Sequence, residues 1–262
     1  SGGNLVFNSA ATVGNLGALS IFISTLTLNS GDGPTAETLS LTGGGTLTGT
    51  DTLTVSGPGT SNWTTGTMTG TGTTTINGPL TLTGASSRTL AGGRTLNLAG
   101  MTTWSGNGAI SIGTASTTTT LNNSGTFQDQ NSGTVALNNS GGTTAVNNSG
   151  TYEKTGAGTT TINPAFNNTS PGSVNVQTGT LVLAGGGTHT GDFAGAGTLQ
   201  FGGGTHTLSS GTYNVTGSTS VTNGTVNFNT ASSTGALTLS GGTLGGTDAL
   251  TVTGALSWTG GL

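Results

Sequence analysis

Apolar residues recur along this chain at alternate positions in short groups, usually as apolar–Thr–apolar triplets. Alternate side chains of a β-strand point to opposite faces, so each triplet predicts a short strand that buries two apolar residues and exposes the threonine between them. Such strands do not form a stable sheet alone, but strands stacked on equivalent strands bury a continuous apolar column. The pattern therefore predicts an all-β fold, a β-solenoid of roughly a dozen short coils with roughly 20–24 residues in each. The clearest inward pairs are Leu26/Leu28, Leu39/Leu41, Leu53/Val55, Leu80/Leu82, Leu96/Leu98 and Ile110/Ile112.

Glycine and asparagine separate the triplets. The chain has 52 glycines, and both residue types supply the positive-φ corners that a short coil needs. The Asn-rich run LNNSG at Leu121–Gly125 recurs at Leu137–Gly141, which predicts side-chain amide ladders at equivalent corners of the stack. Charged residues make up only 4% of the chain. That shortage suits a stack, because like charges on adjacent strands repel each other.

The sequence also contains a second, longer repeat in addition to the short coil repeat. Leu41–Trp63 returns near the C-terminus as Leu239–Trp258, with Asp51 matching Asp248. We therefore interpret residues 1–262 as a single continuous solenoid segment that holds one repeat unit of roughly 200 residues and the start of the next. Neither end carries an amphipathic helix or a proline cluster that would cap the open strand edges. This predicts a window of a longer array, with adjacent repeat units or identical subunits stacked end to end on it.

Composition excludes several classes of protein. Three basic residues and a net charge of −4 leave no basic patch for a nucleic-acid partner. No apolar run reaches the length of a membrane span, and the absence of cysteine excludes disulfides and Cys-based sites. A disordered low-complexity chain and an array of β-sandwiches are the alternatives. The regular alternation argues against disorder, and the triplets are too short and too frequent for sandwich domains.

Several segments carry a family resemblance. SNWTTGTMTGTGTTTI, LTLTGASSRTLAGGRTLNLAG, TFQDQNSG and LTLSGGTLGGTDALTVTGALSWTGG look like the large repeat-rich bacterial surface proteins, namely filamentous-haemagglutinin-like adhesins and autotransporter passenger regions. The resemblance covers essentially the whole chain but rests on composition and repeat style. It implies a right-handed parallel β-helix, secretion to the cell surface, and a structural or adhesive role as a stalk, filament or matrix component. It assigns no functional residue.

His189 and His206 are the candidate metal ligands. They occupy the same place in two copies of GGGTHT that lie 17 residues apart, so they are expected on neighbouring coils. Two imidazoles can bind a transition metal, although Asp192 is the one acid near enough in sequence to be a third ligand. A stacked surface pair without metal is the alternative, and the sequence predicts no cofactor.

Three tryptophans are candidate ligand contacts. Trp63, Trp104 and Trp258 could stack on sugar rings of surface glycans, or they could pack in the core at the ends of coils. Arg88 and Arg94, in two RTL tripeptides, are expected on the surface, where their stems would cover apolar area. The triplet Tyr152-Glu153-Lys154 is expected to form a solvated bend.

The chain is predicted not to be an enzyme. Its seven acids are scattered, and a glycosidase or polysaccharide lyase needs clustered carboxylates on one face. An ice-binding or carbohydrate-binding solenoid is the alternative to the structural role. The threonine runs Thr73–Thr75, Thr117–Thr120 and Thr159–Thr161 could contribute to a flat array, but such an array needs an outward threonine at one position of many successive coils.

Overall fold

The computed structural model describes residues 3–262 and is a β-solenoid of about 12 turns, built from short parallel strands. The prediction of an all-β solenoid of roughly a dozen coils is confirmed. Within residues 3–262 there is no α-helix, and hence none with the length and apolarity needed to cross a membrane.

The strands are short and closely spaced along the chain. The first seventeen are β1 (Asn4–Phe7), β2 (Ala18–Phe22), β3 (Thr25–Leu28), β4 (Thr35–Ala36), β5 (Thr38–Thr42), β6 (Thr46–Gly49), β7 (Leu53–Val55), β8 (Ser61–Trp63), β9 (Gly66–Met68), β10 (Thr73–Ile76), β11 (Leu80–Leu82), β12 (Arg88–Leu90), β13 (Thr95–Leu98), β14 (Met101–Trp104), β15 (Ile110–Ile112), β16 (Thr118–Asn123) and β17 (Thr126–Asp129). The remainder are β18 (Thr134–Asn139), β19 (Thr143–Asn148), β20 (Thr151–Lys154), β21 (Thr159–Ile162), β22 (Ala165–Asn168), β23 (Ser173–Val176), β24 (Thr180–Leu183), β25 (Gly187–His189), β26 (Asp192–Gly195), β27 (Thr198–Phe201), β28 (Thr205–Leu208), β29 (Tyr213–Val221), β30 (Thr225–Phe228), β31 (Ser232–Leu239), β32 (Thr243–Gly245), β33 (Leu250–Val252) and β34 (Leu256–Trp258).

The chain divides into two compact units. The first contains the residues up to Thr126 together with Asn138–Thr144, and the second contains Phe127–Leu137 and Ala145–Leu262. The two copies of the long repeat fall in different units. Each copy forms four strand segments, β5 to β8 in the first copy and β31 to β34 in the second, but the strand of the 11-stranded sheet is the third of the four in the first copy (β7) and the second in the other (β32).

In the first unit each coil adds one strand to each of three parallel columns. One column consists of β1, β3, β6, β9, β12 and β15. The second consists of β2, β5, β8, β11 and β14, and the third of β4, β7, β10, β13 and β16. Aligned residues lie 21 positions apart at Thr25↔Thr46 and 22 apart at Arg88↔Ile110, as the predicted coil length requires.

The second unit repeats this plan with coils of less even length. Residues paired in adjacent coils lie 25 positions apart at Thr134↔Thr159, 21 at Thr159↔Thr180 and 18 at Thr180↔Thr198. β29 and β31 each continue through a corner, and both ends of β29 pair with β31. Coil length therefore varies within the unit while the parallel pairing is kept.

Apolar side chains from the three columns fill the interior of each coil. Most of the strands show a strict alternation of buried and partly exposed residues, such as Thr25–Leu28 and Thr95–Leu98. All six inward pairs predicted from the triplets are buried. Burying one Leu or Val side chain contributes about 1.5–3 kcal/mol, so the repeated pair is the main favourable term of each coil.

Asparagine ladders are present, but they lie on strands instead of at corners. The two LNNSG runs do not stack on each other, because β16 pairs with β13 and β18 pairs with β21. The Asn122 amide donates to Asn97 Oδ1 at 2.8 Å in the first unit. In the second unit Asn167 donates to Asn147 at 2.9 Å, and Asn148 donates to the buried Asn168 at 2.8 Å. A strand position is favourable because the parallel register places identical amides directly above one another.

The structure corrects two expectations about charged residues. Arg88 and Arg94 are fully buried and do not lie on the surface. Residues 152–154 belong to β20 and form no bend, and both Tyr152 and Lys154 point into the core. The physical reason is the alternation itself, because Arg88 shares its strand face with Leu90, and Lys154 shares its face with Tyr152.

Successive coils pack backbone against backbone at Gly49, so a substitution there tests the fold. Gly49 has φ of +113°, and a Cβ atom there would lie 2.1 Å from the carbonyl oxygen of Leu28 on the preceding coil. We expect Gly49→Ala to lower the free energy of unfolding by roughly 3 kcal/mol or more, because backbone strain and the clash add. Gly14→Ala is the control, since no atom lies within 4 Å of its added Cβ. Chemical denaturation measures both, and equal stability of the two variants would contradict this packing.

Candidate functional site

His189 and His206 lie next to each other, but in the core. Both are fully buried, on β25 and β28, and their rings stack with centroids 5.3 Å apart and planes 11° apart. Their motif copies are shifted in register, since β25 and β28 pair Gly187 with His206 and His189 with Leu208. The two histidines are therefore not aligned with each other on the paired strands, and their rings contact each other diagonally across the pair.

Hydrogen bonds determine where the protons of this pair lie. His206 Nε2 is 3.1 Å from the carbonyl oxygen of Gly203, so this nitrogen must be the donor. His206 Nδ1 is then an acceptor, and His189 Nε2, at 3.1 Å, donates to it. His189 Nδ1 is consequently unprotonated, and it has no hydrogen-bond partner within residues 3–262. Both imidazoles are neutral in this arrangement.

The surroundings of the pair oppose charge and metal binding. Burial, together with the neighbouring His206, lowers the pKa of His189 to about 3, and burial lowers the pKa of His206 to about 4. Aromatic rings of Phe166, Phe193 and Phe201 contact the two imidazoles. Asp192 is exposed and accepts a hydrogen bond from the Thr212 amide at 2.7 Å. In the described part of the chain, no three His, Asp or Glu side chains are placed to hold a metal ion.

The histidine pair is therefore an internal packing element. The expectation of a surface pair is wrong, because the residues alternate inward with Leu208 and share the core with phenylalanines. A buried neutral imidazole pair surrounded by aromatic rings offers no route by which a solvated ion could reach it. We assign no metal to His189 and His206.

The tryptophans separate into two kinds. Trp63 and Trp104 are 1% and 0% exposed, and their indole N–H groups donate to the carbonyls of Gly66 and Gly108 at 3.4 and 3.2 Å. Neither ring can stack on a glycan, so these two are corrected from ligand contacts to core residues. Trp258 is 64% exposed and remains available for contact.

The two buried arginines are structural clamps that the sequence analysis missed. Arg94 donates to Gly49 O at 3.0 Å, to Thr69 O at 2.5 Å and to Thr74 Oγ1 at 2.9 Å, so one guanidinium joins three successive coils. Arg88 likewise donates to main-chain carbonyls, including Gly108 O at 3.0 Å. Burial lowers the pKa of both to about 10. The sequence did contain a sign of this, because Arg88 and Arg94 each lie two positions before an inward leucine, Leu90 and Leu96, and hence on the same face.

The acids are distributed among separate roles. Asp51 accepts hydrogen bonds from Ser30 N, Ser30 Oγ and Gly31 N at 2.7–3.0 Å, so it caps the turn of the preceding coil. These hydrogen bonds hold the pKa of Asp51 below its usual value against the opposing effect of burial. Asp248 is exposed and accepts from the adjacent Ala249 amide at 3.1 Å. Asp129 is buried in the core of the second unit.

One column of the first unit presents an ordered hydroxyl surface. Thr25, Thr46, Thr67 and Thr89 are aligned on four successive coils, and Ser111 continues the row. A second row contains Thr27 and Thr48, which pair directly, and Thr69, which follows the pairing of Leu47 with Met68. Within residues 3–262, none of these hydroxyls makes a side-chain hydrogen bond to protein. The signal in the sequence was the constant 21-residue spacing of Thr-Leu-Thr, Thr-Leu-Thr and Thr-Met-Thr.

Apolar surface is exposed at the outermost coil of each unit. In the second unit, a cavity of about 170 Å³ is lined by Leu237, Leu239, Leu244, Leu256, Trp258 and Leu262. In the first unit, Leu5, Val6, Phe22 and Ile23 are all more than half exposed. Exposed large apolar side chains gathered on strand edges mark a surface suited to contact.

Comparison with known proteins gives no match: no protein-family model, curated protein or solved structure shows significant similarity to this chain.

The histidine pair predicts that stability falls in mild acid. The unfolded chain takes up protons as pH falls below about 6.5, whereas the folded pair resists protonation until about pH 4. The stabilising effect of the neutral pair is thus complete above pH 6.5 and is lost as pH falls. We expect the free energy of unfolding to be about 4 kcal/mol lower at pH 5 than at pH 7.5 from these two groups.

Denaturant titrations at several pH values measure this loss. The double variant His189→Phe/His206→Phe keeps aromatic rings in the core and removes the titrating groups. It should show a distinctly flatter dependence of stability on pH between 7.5 and 5. Parallel curves for the two proteins would show that the histidines do not control acid stability.

Proposed function

We propose that this chain is a structural or adhesive segment of an extracellular bacterial surface or fibrous repeat protein. In that role the stacked coils hold other parts of the protein away from the cell or attach to a surface, and the rigidity of the solenoid is what the function requires. The chain's similarity in style to adhesin and autotransporter repeats supports the location at the cell surface. The interior supports the mechanical role, because its polar side chains clamp coils together.

One observation carries the proposal, namely the contrast between the two tryptophans that end the copies of the long repeat. Trp63 and Trp258 end the two copies of the long repeat in sequence, and each is paired with the leucine that opens its copy, Leu41 for Trp63 and Leu239 for Trp258. Trp63 is 1% exposed, because β8 pairs with β5 on one side and with β11 on the other. Trp258 on β34 pairs with β31 and is 64% exposed. The surface that fits Trp258 is therefore a further coil like the one that covers Trp63.

We therefore propose a solenoid coil of an identical subunit as the partner of this end face. Such a coil would continue the β31–β34 ladder and fill the cavity beside Trp258. Both contributions are favourable, because unpaired strand edges and exposed apolar side chains are covered together.

Self-association of the 262-residue chain tests this assignment. We expect sedimentation velocity to show assembly that grows with protein concentration, and Leu256→Asp/Trp258→Asp to abolish it by placing charge in the apolar contact. Met101→Asp is the matched control, because Met101 is an exposed apolar residue on β14 that does not line that cavity. A wild-type chain that stays monomeric at all concentrations, or assembly unchanged in the double variant, would refute end-face stacking.

The threonine rows favour a second candidate function, the binding of ice. Two rows of hydroxyl and methyl groups repeat about every 4.8 Å between coils and about 6.6 Å along each strand, forming a regular two-dimensional array. The five strands that carry the rows, β3, β6, β9, β12 and β15, expose no charged side chain, since Arg88 points inward. They also expose no aromatic ring on which a sugar could stack, which favours ordered water over a glycan as the ligand.

Thermal hysteresis of the purified chain tests this second candidate. We expect measurable hysteresis and faceted ice crystals, and a several-fold loss of hysteresis in Thr46→Lys, because a long charged side chain interrupts the array. Thr103→Lys, on the outward face of β14, is the control and should retain the wild-type value. Absence of hysteresis in the wild-type chain would exclude ice binding.

A further inference from the structure

A buried cluster in the second unit brings an amine, a carboxylate and a carboxamide together. Lys154 ends β20, Asp129 ends β17, and Asn131 follows Asp129 by two residues. All three side chains are fully buried. Lys154 Nζ lies 3.8 Å from Asp129 Oδ1 and donates to the carbonyls of Asn131 and Gly156 at 2.9 and 2.6 Å.

The carboxylate lies between the other two groups. Asn131 Nδ2 donates to Asp129 Oδ1 at 2.8 Å, and this is the oxygen nearest to Lys154 Nζ. Tyr152 OH and Thr160 Oγ1 donate to the second oxygen, Oδ2. Asp129 Oδ1 is hydrogen-bonded to the carboxamide nitrogen and lies at ion-pair distance from the amine, so it can carry a proton between the two once Nζ closes the remaining gap.

The interior around the cluster is apolar and aromatic. Phe127 and Tyr152 are buried and stack with centroids 5.4 Å apart and planes 6° apart. A low-dielectric environment disfavours a separated ammonium and carboxylate relative to the neutral amine and acid. Burial lowers the pKa of Lys154, although the charge of Asp129 opposes that effect.

The geometry points to an intramolecular amide cross-link between Lys154 Nζ and the side-chain carbonyl carbon of Asn131, with Asp129 as the proton carrier. Lys154 first gives a proton to Asp129 Oδ1, and the neutral amine attacks Asn131 Cγ. The new Nζ–Cγ bond forms as the Cγ–Nδ2 bond breaks. Nδ2 leaves with the protons that Lys154 loses, as ammonium, and Asp129 returns to the carboxylate. The step consumes no oxidant, reductant or other reagent.

Attack on Asp129 itself is the competing reaction, and its environment disfavours it. Its two oxygens accept hydrogen bonds from Asn131 N, Asn131 Nδ2, Tyr152 OH and Thr160 Oγ1, so the carboxyl group is held in place on both sides and its carbon is not turned towards the amine. A carboxylate is a poor electrophile, whereas the Asn131 carboxamide is neutral. The bond formed would join the segment after β17 to β20, one coil further along the chain.

Intact-mass spectrometry of the full chain under denaturing conditions tests the cross-link. We expect a mass lower than that of the sequence by one molecule of ammonia. A mass lower by one water would place the bond at Asp129 and overturn the assignment to Asn131. A mass equal to that of the sequence would overturn the cross-link altogether, leaving a buried ion pair.

Trypsin provides an independent readout, because the chain has only three cleavage sites, after Arg88, Arg94 and Lys154. An acylated lysine is not cleaved, so the denatured protein should yield residues 95–262 as one fragment. Cleavage into 95–154 and 155–262 would contradict the proposal. This result does not depend on any variant folding.

Two variants separate the roles of the residues. Asp129→Asn removes the proton carrier while keeping the size of the side chain, so its mass should equal that of its sequence and its Lys154 should become cleavable. Lys154→Met removes the nucleophile with a similarly long apolar side chain and should also show no loss of ammonia. Loss of ammonia in Lys154→Met would show that the wild-type loss arises elsewhere in the chain.

Discussion

The parallel backbone ladder between successive coils is the interaction on which the rest of this structure depends. Backbone N–H groups of one coil donate to carbonyls about one coil earlier, as Thr67 does to Gly45 and Gly202 does to Leu183. On paired strands, each side chain consequently lies next to the side chain of the aligned residue in the neighbouring coil. Apolar pairs then form continuous columns, amides form ladders such as Asn97–Asn122, and stacked like charges are excluded. Where backbone packs on backbone, as at Gly49 on Leu28, only glycine fits.

Alternation in the sequence was sufficient to predict the fold and most of its core. Leu26/Leu28 and the equivalent pairs are inward, and the coil length and number follow from their recurrence. The wrong predictions concern polar residues that were expected on the surface because of their charge, although the alternation of inward and outward positions places them in the core. Arg88 alternates with Leu90, and Lys154 alternates with Tyr152, so parity alone places both charged groups inside. A guanidinium or ammonium is tolerated there because the coil corners turn main-chain carbonyls inward as acceptors.

The contacts between particular residues could not be predicted, because they depend on the length of each coil. Aligned residues are separated by 18 to 25 positions in the second unit, so a motif period of 17 does not place His206 above His189. The contact of Lys154 with Asp129 and Asn131 likewise could not be predicted, because it depends on the strand register of the coil that lies between them in the sequence. In the first unit the spacing is a constant 21 residues over the threonine triplets. There, the sequence alone contained the hydroxyl rows, and a search at fixed period would have found them.

Native-state hydrogen exchange of the full chain tests the stacked ladder most directly. Amides that donate from one coil to the preceding one, such as those of Thr67 and Ala91 in the first unit and Gly202 and Thr222 in the second, should exchange slowly, close to the rate set by global unfolding. Protection should decrease toward β1 and β34, whose outer edges lack a paired strand within residues 3–262. Rapid exchange throughout these inner strands, at the rate of an unstructured peptide, would contradict the solenoid.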